Sequence, residues 1–599
     1  MTFWKTFWAS LLASIIAGII VVFIFFMILN VMLASFGQMF DEKELVVEDK
    51  TVLHMTLNGK IGDYSNAYID QNSLSLEKQM GVVDIVEGLK MAAEDEKIEG
   101  IFLNCDGVMT GMANVKEIRD ALQDFQESGK FIVAFNENYS TKAYYLSSVA
   151  EELYVFPSGM LQFLGLGAEL MYLKNTLEKL DVEMQIIRGS NNKFKSAVEP
   201  LMNEKMSEAA REQSLTYLNA MWGEIIGSVG KSRGLKKSRL NEIADSIYIR
   251  ASGDAVEYGM ADGICYYDQV LDTLKARVGI DQDDELELLS FERYATKKIR
   301  KKRNLAKLDT KNLAVIFAEG EIVDGWGDKG QIGGYSLAAD IRDAREDEDI
   351  KGVVLRVNSP GGSALASDII WREVIMTKKA GKPIVVSMGN LAASGGYYIA
   401  CAADKIYAQP NTITGSIGVF GIIPYLGDMM TNHLGVTFDR VQTNKHMYPT
   451  PYQRLTDKEF TIIQEEIDAI YDDFLSKVAK GRGMKKSEVD SIGQGRVWAG
   501  KDALKIGLVD ELGSLDDAIN DVAERANIEK DSISIRYYPA PEDNKLFEIL
   551  TALEESEMEE EEESSSSLEG RLMNIYSYLK TLDGKKSIQA RLPYMIWIE

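Results

Sequence analysis

The chain has 599 residues, 46% of them apolar, a formal net charge of -26 and three cysteines. It is too long for one ordinary domain and too apolar for global disorder. The acidity argues against a protein that grips nucleic acid through its phosphates, whose footprint is basic, and an odd, small number of cysteines excludes a disulfide scaffold.

In chain order, the first segment is "FWASLLASIIAGIIVVFIFFMILNVMLASF", with no charge between Lys5 and Asp41. A spanning helix needs about 20 apolar residues. The nearest small-x-small cleavage site, Met32-Leu33-Ala34, has a large residue where a small one is wanted, so residues 1–40 are expected to be a retained transmembrane anchor rather than a cleaved signal. Lys5 and the amino terminus precede the segment and "DEKELVVEDK" follows it. The positive-inside rule then puts the N-terminus in the cytoplasm and the rest of the chain outside, in the envelope.

A repeat follows. Residues 97 to 135, "KIEGIFLNCDGVMTGMANVKEIRDALQDFQESGKFIVAF", and 349 to 387, "DIKGVVLRVNSPGGSALASDIIWREVIMTKKAGKPIVVS", both read strand, glycine turn, helix, strand. The likeness continues in "YYLSSVAEELYVFPSG" at 144 against "YYIACAADKIYAQPNT" at 397, and in "ASGDAVEYGMADG" at 251 against "AGKDALKIGLVDE" at 499. Such a long period marks two copies of a whole α/β unit built from βαβ elements. The expected domains are 47–290 and 313–540, joined by a basic, solvated linker over 291–312. An extension over 541–599 follows, in which the acidic, serine-rich stretch 554–570 cannot build a core and is expected to be a disordered loop. Cys105, Cys265 and Cys401 lie in apolar or small-residue contexts and read as small core residues.

The second copy carries the chemistry. "VNSPGG", 357 to 362, follows the strand "GVVLRV" and precedes a helical segment. Glycines there let the backbone approach a ligand, and free amides at a helix start suit an anion. For an acyl-transfer serine that anion is the tetrahedral oxyanion, so the amides of Gly362 and Gly395 are expected to be its donors. "AASGG" sets Ser394 between small residues, an open position for a nucleophile that needs a base. Only three histidines exist. His54 reads as a satisfied strand residue and His433 as a helix end, which leaves His446 as the one histidine base that can be imagined. The first copy offers a lysine instead, Lys195 in "NNKFKSAVEP". Carried across the repeat, Lys195 lands on Tyr448 or Pro449; carried back, Ser394 lands on Thr141 or Lys142, and "NSPGG" becomes "CDGVM". One copy keeps a lysine and the other a serine, as a single site shared across the duplication would leave them. A lysine base must be partly neutral, which desolvation favours. Phe194 and Phe420 are expected to supply the desolvation, and Lys193 to add repulsion.

"FKSAVEP", "VNSPGG", "AASGGYY" and "TGSIGVFG" on an anchored, duplicated chain together resemble the long form of bacterial signal peptide peptidase A, the protease IV family, over about residues 10 to 540. The resemblance implies two tandem α/β domains of the Clp protease and crotonase-like fold group behind one transmembrane helix. It implies a Ser-Lys dyad, with Ser394 as nucleophile, Lys195 as general base and Ser416 of "TGSIG" orienting the lysine amine. It also implies a membrane-anchored serine endopeptidase of the bacterial inner membrane, catalytic domains on the periplasmic face, that cleaves short apolar peptides such as cleaved signal peptides. A homo-oligomer, such as a tetramer, fits that family. Neither metal nor cofactor is expected, since there is no phosphate loop of P-loop spacing and no histidine-rich cluster. The residues alone leave two other readings open: a crotonase-like acyl-CoA enzyme, which needs no serine nucleophile, and a non-catalytic membrane scaffold.

Overall fold

A computed structural model of the chain describes residues 45–69, 76–306, 311–447 and 450–539. The expected anchor over 1–40, the extension over 541–599 with its acidic stretch 554–570, and Tyr448 and Pro449 lie outside those residues. Among the described residues no helix is long and apolar enough to cross a membrane.

The duplication is visible in the strand order. One six-stranded sheet runs Gly263–Ile264, Glu152–Leu161, Phe131–Tyr139, Ile98–Asn104, Thr51–Thr56, Leu288–Ser290, all parallel. The second sheet, of eight strands, repeats the order from Glu511–Leu512 and Lys405–Ala408 through Ile384–Ala393, Gly352–Ser359 and Leu313–Glu319 to Ile535–Tyr538. It adds Ile413–Gly415 and the antiparallel Val497–Ala499 beside the upper part of strand Ile384–Ala393. Parallel strands are covered by helices on both faces, so their sequences are continuous apolar runs rather than alternating ones. "GVVLRVNS" is buried at every position but one. Both sheets belong to one compact unit, Val46–Ala67 with Lys78–Pro541.

The basic stretch is not a solvated linker. Phe291–Ala306 is a helix whose Phe291, Tyr294, Ala295 and Ile299 are buried. They recur at helical spacing between the cations, so the stretch is an amphipathic helix with its charges on the outer face. Gly88 on helix Val82–Glu94 permits the close approach, since a Cβ there would stand 2.6 Å from that of Ala295. The cations meet acids of the first copy: Lys298 bonds Asp95 at 2.8 Å, Lys302 Glu87 at 3.0 Å and Arg303 Asp84 at 2.5 Å.

The one charge in "GVVLRV" ties the copies together. Arg356, 1% exposed, bonds Asp63 at 3.0 Å and Glu117 at 2.9 Å, both from the first copy, and Ser387 Oγ at 2.9 Å. Glu319 adjoins them and accepts from Asp63 N at 3.3 Å. Burial pushes the carboxyls of Glu117 and Glu319 up, and the Asp63 charge adds to the rise at both. Removing the cation strands buried carboxylates, so Arg356→Ala is expected to destabilise the chain by about 3–5 kcal/mol. Urea unfolding checks this, and a midpoint equal to the parent's would refute it.

Candidate active site

Strand Ile384–Ala393 runs directly into Ser394, which caps helix Gly395–Ala400 with φ 55° and ψ -117°. A positive φ is uncommon outside glycine and stores strain, and a sharp strand-to-helix turn of this kind lifts a serine hydroxyl above the sheet. Two bonds hold it there: Ser394 N donates to Gly415 O, and Tyr398 N to Ser394 O, both at 2.9 Å. The first copy has a relaxed turn instead. Ser140 caps helix Thr141–Ser147 at φ -71°, and its side chain accepts from Ala143 N. Thr141 there donates to the carbonyls of Gln162 and Leu164, and Lys142 Nζ to Thr110 O at 2.7 Å.

The turn after strand Gly352–Ser359 lies against the same helix start. Gly361 has φ 99°, and a Cβ on it would stand 2.6 Å from Gly395 N. Gly362 has φ 151°, and its Cβ would strike Ile322 O at 2.0 Å. A Cβ on Gly395 would be 3.2 Å from Gly362 N, so the Gly362 amide lies close against the start of the helix that Ser394 caps. Neither N–H donates to an acceptor among the described residues. In the first copy Gly107 keeps the turn at φ 68°, but Val108 follows it.

Lys195 arrives from the first copy. Strand Glu183–Arg188 pairs antiparallel with the second copy's Phe420–Tyr425, Arg188 opposite Phe420, and the chain then turns toward Ser394. Lys195 Nζ lies 2.9 Å from Ser394 Oγ and donates to Ser416 O at 2.9 Å and Ser416 Oγ at 3.0 Å. Ser416, at φ 50°, donates its N–H to Arg496 O at 2.7 Å.

The sequence pattern of Peptidase family S49 matches residues 124–281 and 376–529, one match in each copy. The chain belongs to peptidase family S49. It is 35% identical to Protease 4 of Haemophilus influenzae over 528 residues, 85% of either chain. It is 35% identical to Protease 4 of Salmonella typhi over 79% of this chain and 76% of that one. The chloroplastic serine protease SPPA of Arabidopsis thaliana is 32% identical over 83% of this chain and 72% of its own. The protein is therefore a serine peptidase of the long, duplicated form.

In this S49 peptidase Lys195 is 4% exposed, and burial draws its pKa down from 10.5 to about 7. Phe194 is buried beside it, and the Phe420 ring centroid lies 6.0 Å from Nζ. Lys193, expected to add repulsion, is exposed with its ammonium over the Phe194 ring at 5.2 Å, and burial rather than a like charge causes the shift. The histidines have other partners. His54 Nε2 lies 2.5 Å from Asn104 Oδ1, His433 3.2 Å from Asp181, and His446 Nδ1 3.0 Å from Glu459. Cys105 and Cys401 are buried and Cys265 is half-buried.

One residue of this peptidase's site gave no signal in its sequence. Gly495, at φ 79°, packs on the lysine backbone so tightly that a Cβ would stand 2.5 Å from Lys195 Cβ. In "GQGRVW" it reads as an ordinary loop glycine, because the residue it admits is 300 positions away.

Proposed function

We propose that this peptidase is a membrane-anchored endopeptidase that cleaves short apolar peptides, such as signal-peptide remnants, with Ser394 as nucleophile and Lys195 as general base. Ser416 orients the lysine, and the N–H groups of Gly362 and Gly395 form the oxyanion hole. The observation that carries the reading is the 2.9 Å approach of a buried lysine, its pKa drawn down to about 7, to a serine held on a strained turn.

That geometry supports the following roles for the site residues. The neutral amine donates to both oxygens of Ser416, which turns its lone pair toward Ser394 Oγ. Oγ attacks the scissile carbonyl carbon while its proton passes to Nζ, and the oxyanion forms against the two unpaired amides. As the intermediate collapses, the Lys195 ammonium gives that proton to the leaving amine and an acyl-enzyme remains. Water then gives a proton to the amine and attacks the ester carbon. As this second intermediate collapses, the ammonium returns the proton to Ser394 Oγ, which leaves as the free hydroxyl with release of the product acid.

The uncharged stretch before Asp41 supports an inner-membrane anchor with the catalytic units on the periplasmic face. Each copy is taken as a unit of the Clp protease and crotonase-like group. A homo-oligomer is supported by the repeat itself. "VTFDRV" at 436 stands where the first copy has its pairing segment "VEMQIIR" at 182, yet it has no strand partner among the described residues, and Leu434 and Val441 are exposed. Labelling of the detergent-solubilised chain with a fluorophosphonate tests the reading. Ser394 is expected to be modified, and modification to be lost in Lys195→Ala. An acyl-CoA enzyme or a scaffold would remain unlabelled.

A further inference from the structure

Helix Glu208–Arg233 begins at Ser207, whose side chain accepts from Ala210 N, and carries Gln213 on its second turn. That side chain is 3% exposed and bonds the two neighbours of Lys195 and one residue of the strand beside the serine turn. Its Nε2 donates to Phe194 O at 2.9 Å and to Ser196 Oγ at 2.7 Å, gripping the residues before and after Lys195. Its Oε1 accepts from Val497 N at 3.2 Å. Val497 stands opposite Gly415 in the antiparallel pair, and Gly415 O accepts from Ser394 N at 2.9 Å. One carboxamide thus ties the lysine loop to the strand paired with Gly415, the residue that holds the Ser394 amide. Neighbouring bonds run the same way: Phe194 N donates to Gln494 O at 2.8 Å, and Ser416 N to Arg496 O at 2.7 Å.

A carboxamide suits this place because one end must donate twice and the other accept; glutamate keeps only the acceptor, and methionine supplies neither. We propose that Gln213 is a positioning residue, which sets the distance from Lys195 Nζ to Ser394 Oγ by tying both flanks of the lysine to the strand beside the serine turn. This rests on the Ser-Lys reading above. Its leverage comes from the steep dependence of rate on placement, where an error of about 1 Å costs on the order of 10²-fold.

The test assays full-length Gln213→Met, Gln213→Glu and Lys195→Ala in detergent across pH with a short apolar peptide, beside their unfolding midpoints. Both Gln213 variants are expected to lose about tenfold or more in kcat with KM within about twofold of the parent's. The acid limb of kcat/KM should move upward from about 7, because a looser lysine is better hydrated. If Gln213 only braces the fold, the unfolding midpoint falls while kcat per folded molecule and the limb stay in place, which overturns the proposal. Should Gln213→Met fail to fold, Ser196→Ala removes one of the two acceptors and must shift the limb in the same direction by less; an unmoved limb overturns the proposal there too. A fully active Lys195→Ala overturns the dyad itself. An inactive Lys195→Ala beside parent-like Gln213 variants overturns the positioning role alone.

Discussion

Replacing Ser394 by alanine is expected to lower peptide hydrolysis by about 10³-fold or more, since a nucleophile that acts as part of a unit takes most of the rate with it. Folding should survive. The backbone bonds that hold the turn, from Ser394 N to Gly415 O and from Tyr398 N to Ser394 O, do not involve the hydroxyl. Lys195 also keeps both oxygens of Ser416 as acceptors once Oγ is gone. Turnover of a short apolar peptide, read beside circular dichroism and the unfolding midpoint, checks this. A folded Ser394→Ala with parent activity would remove the serine from the mechanism.

Lys195→Ala is expected to lose activity nearly as completely, because the serine and its base fail together. In the parent, kcat/KM should rise with pH along one ionisation near 7 and level off above it, since only the neutral amine accepts the Ser394 proton. His446→Ala should keep most of the activity, as the His446 ring is engaged with Glu459 on an exposed segment. Arginine at 195 should not rescue, being protonated at every usable pH. An essential His446 with a dispensable Lys195 would reverse the assignment. The same burial bears on stability. Between about 7 and 10.5 the unfolded chain binds a proton at this lysine that the folded chain does not, so stability rises with pH through that window. Below it the folded state buries an ammonium. Lys195→Met should therefore be more stable than the parent at pH 6 by on the order of a few kcal/mol, a gain that shrinks as the pH rises toward 10.5.

Much of this was legible in one dimension. The repeat, the apolar runs of the parallel strands and the turns around Gly362 and Ser394 are local patterns, and each is written within a few consecutive residues. The pairing of copies could also be inferred, because loss of the serine from one and of the lysine from the other shows at matched positions. The helix Phe291–Ala306 is written there too, in the spacing of Phe291, Tyr294, Ala295 and Ile299, although the density of cations between them gives the stretch the composition of a solvated linker.

What the amino-acid order determined by itself, then, was the duplicated α/β architecture, the family and the residue types at the candidate site. Tertiary structure alone decided how those residues meet. Lys195 and Ser394 are 199 positions apart, and nothing local sets their 2.9 Å separation. It depends on strand Glu183–Arg188 crossing to Phe420–Tyr425, on Gly495 admitting the lysine backbone, and on Gln213 bonding both flanks of the lysine and Val497 at once. The lowered lysine pKa is likewise a property of the closed site, since desolvation comes from neighbours that the fold assembles. Arg356 shows the same limit: in sequence it is a charge in an apolar strand, and only the packing of one copy on the other gives it Asp63 and Glu117.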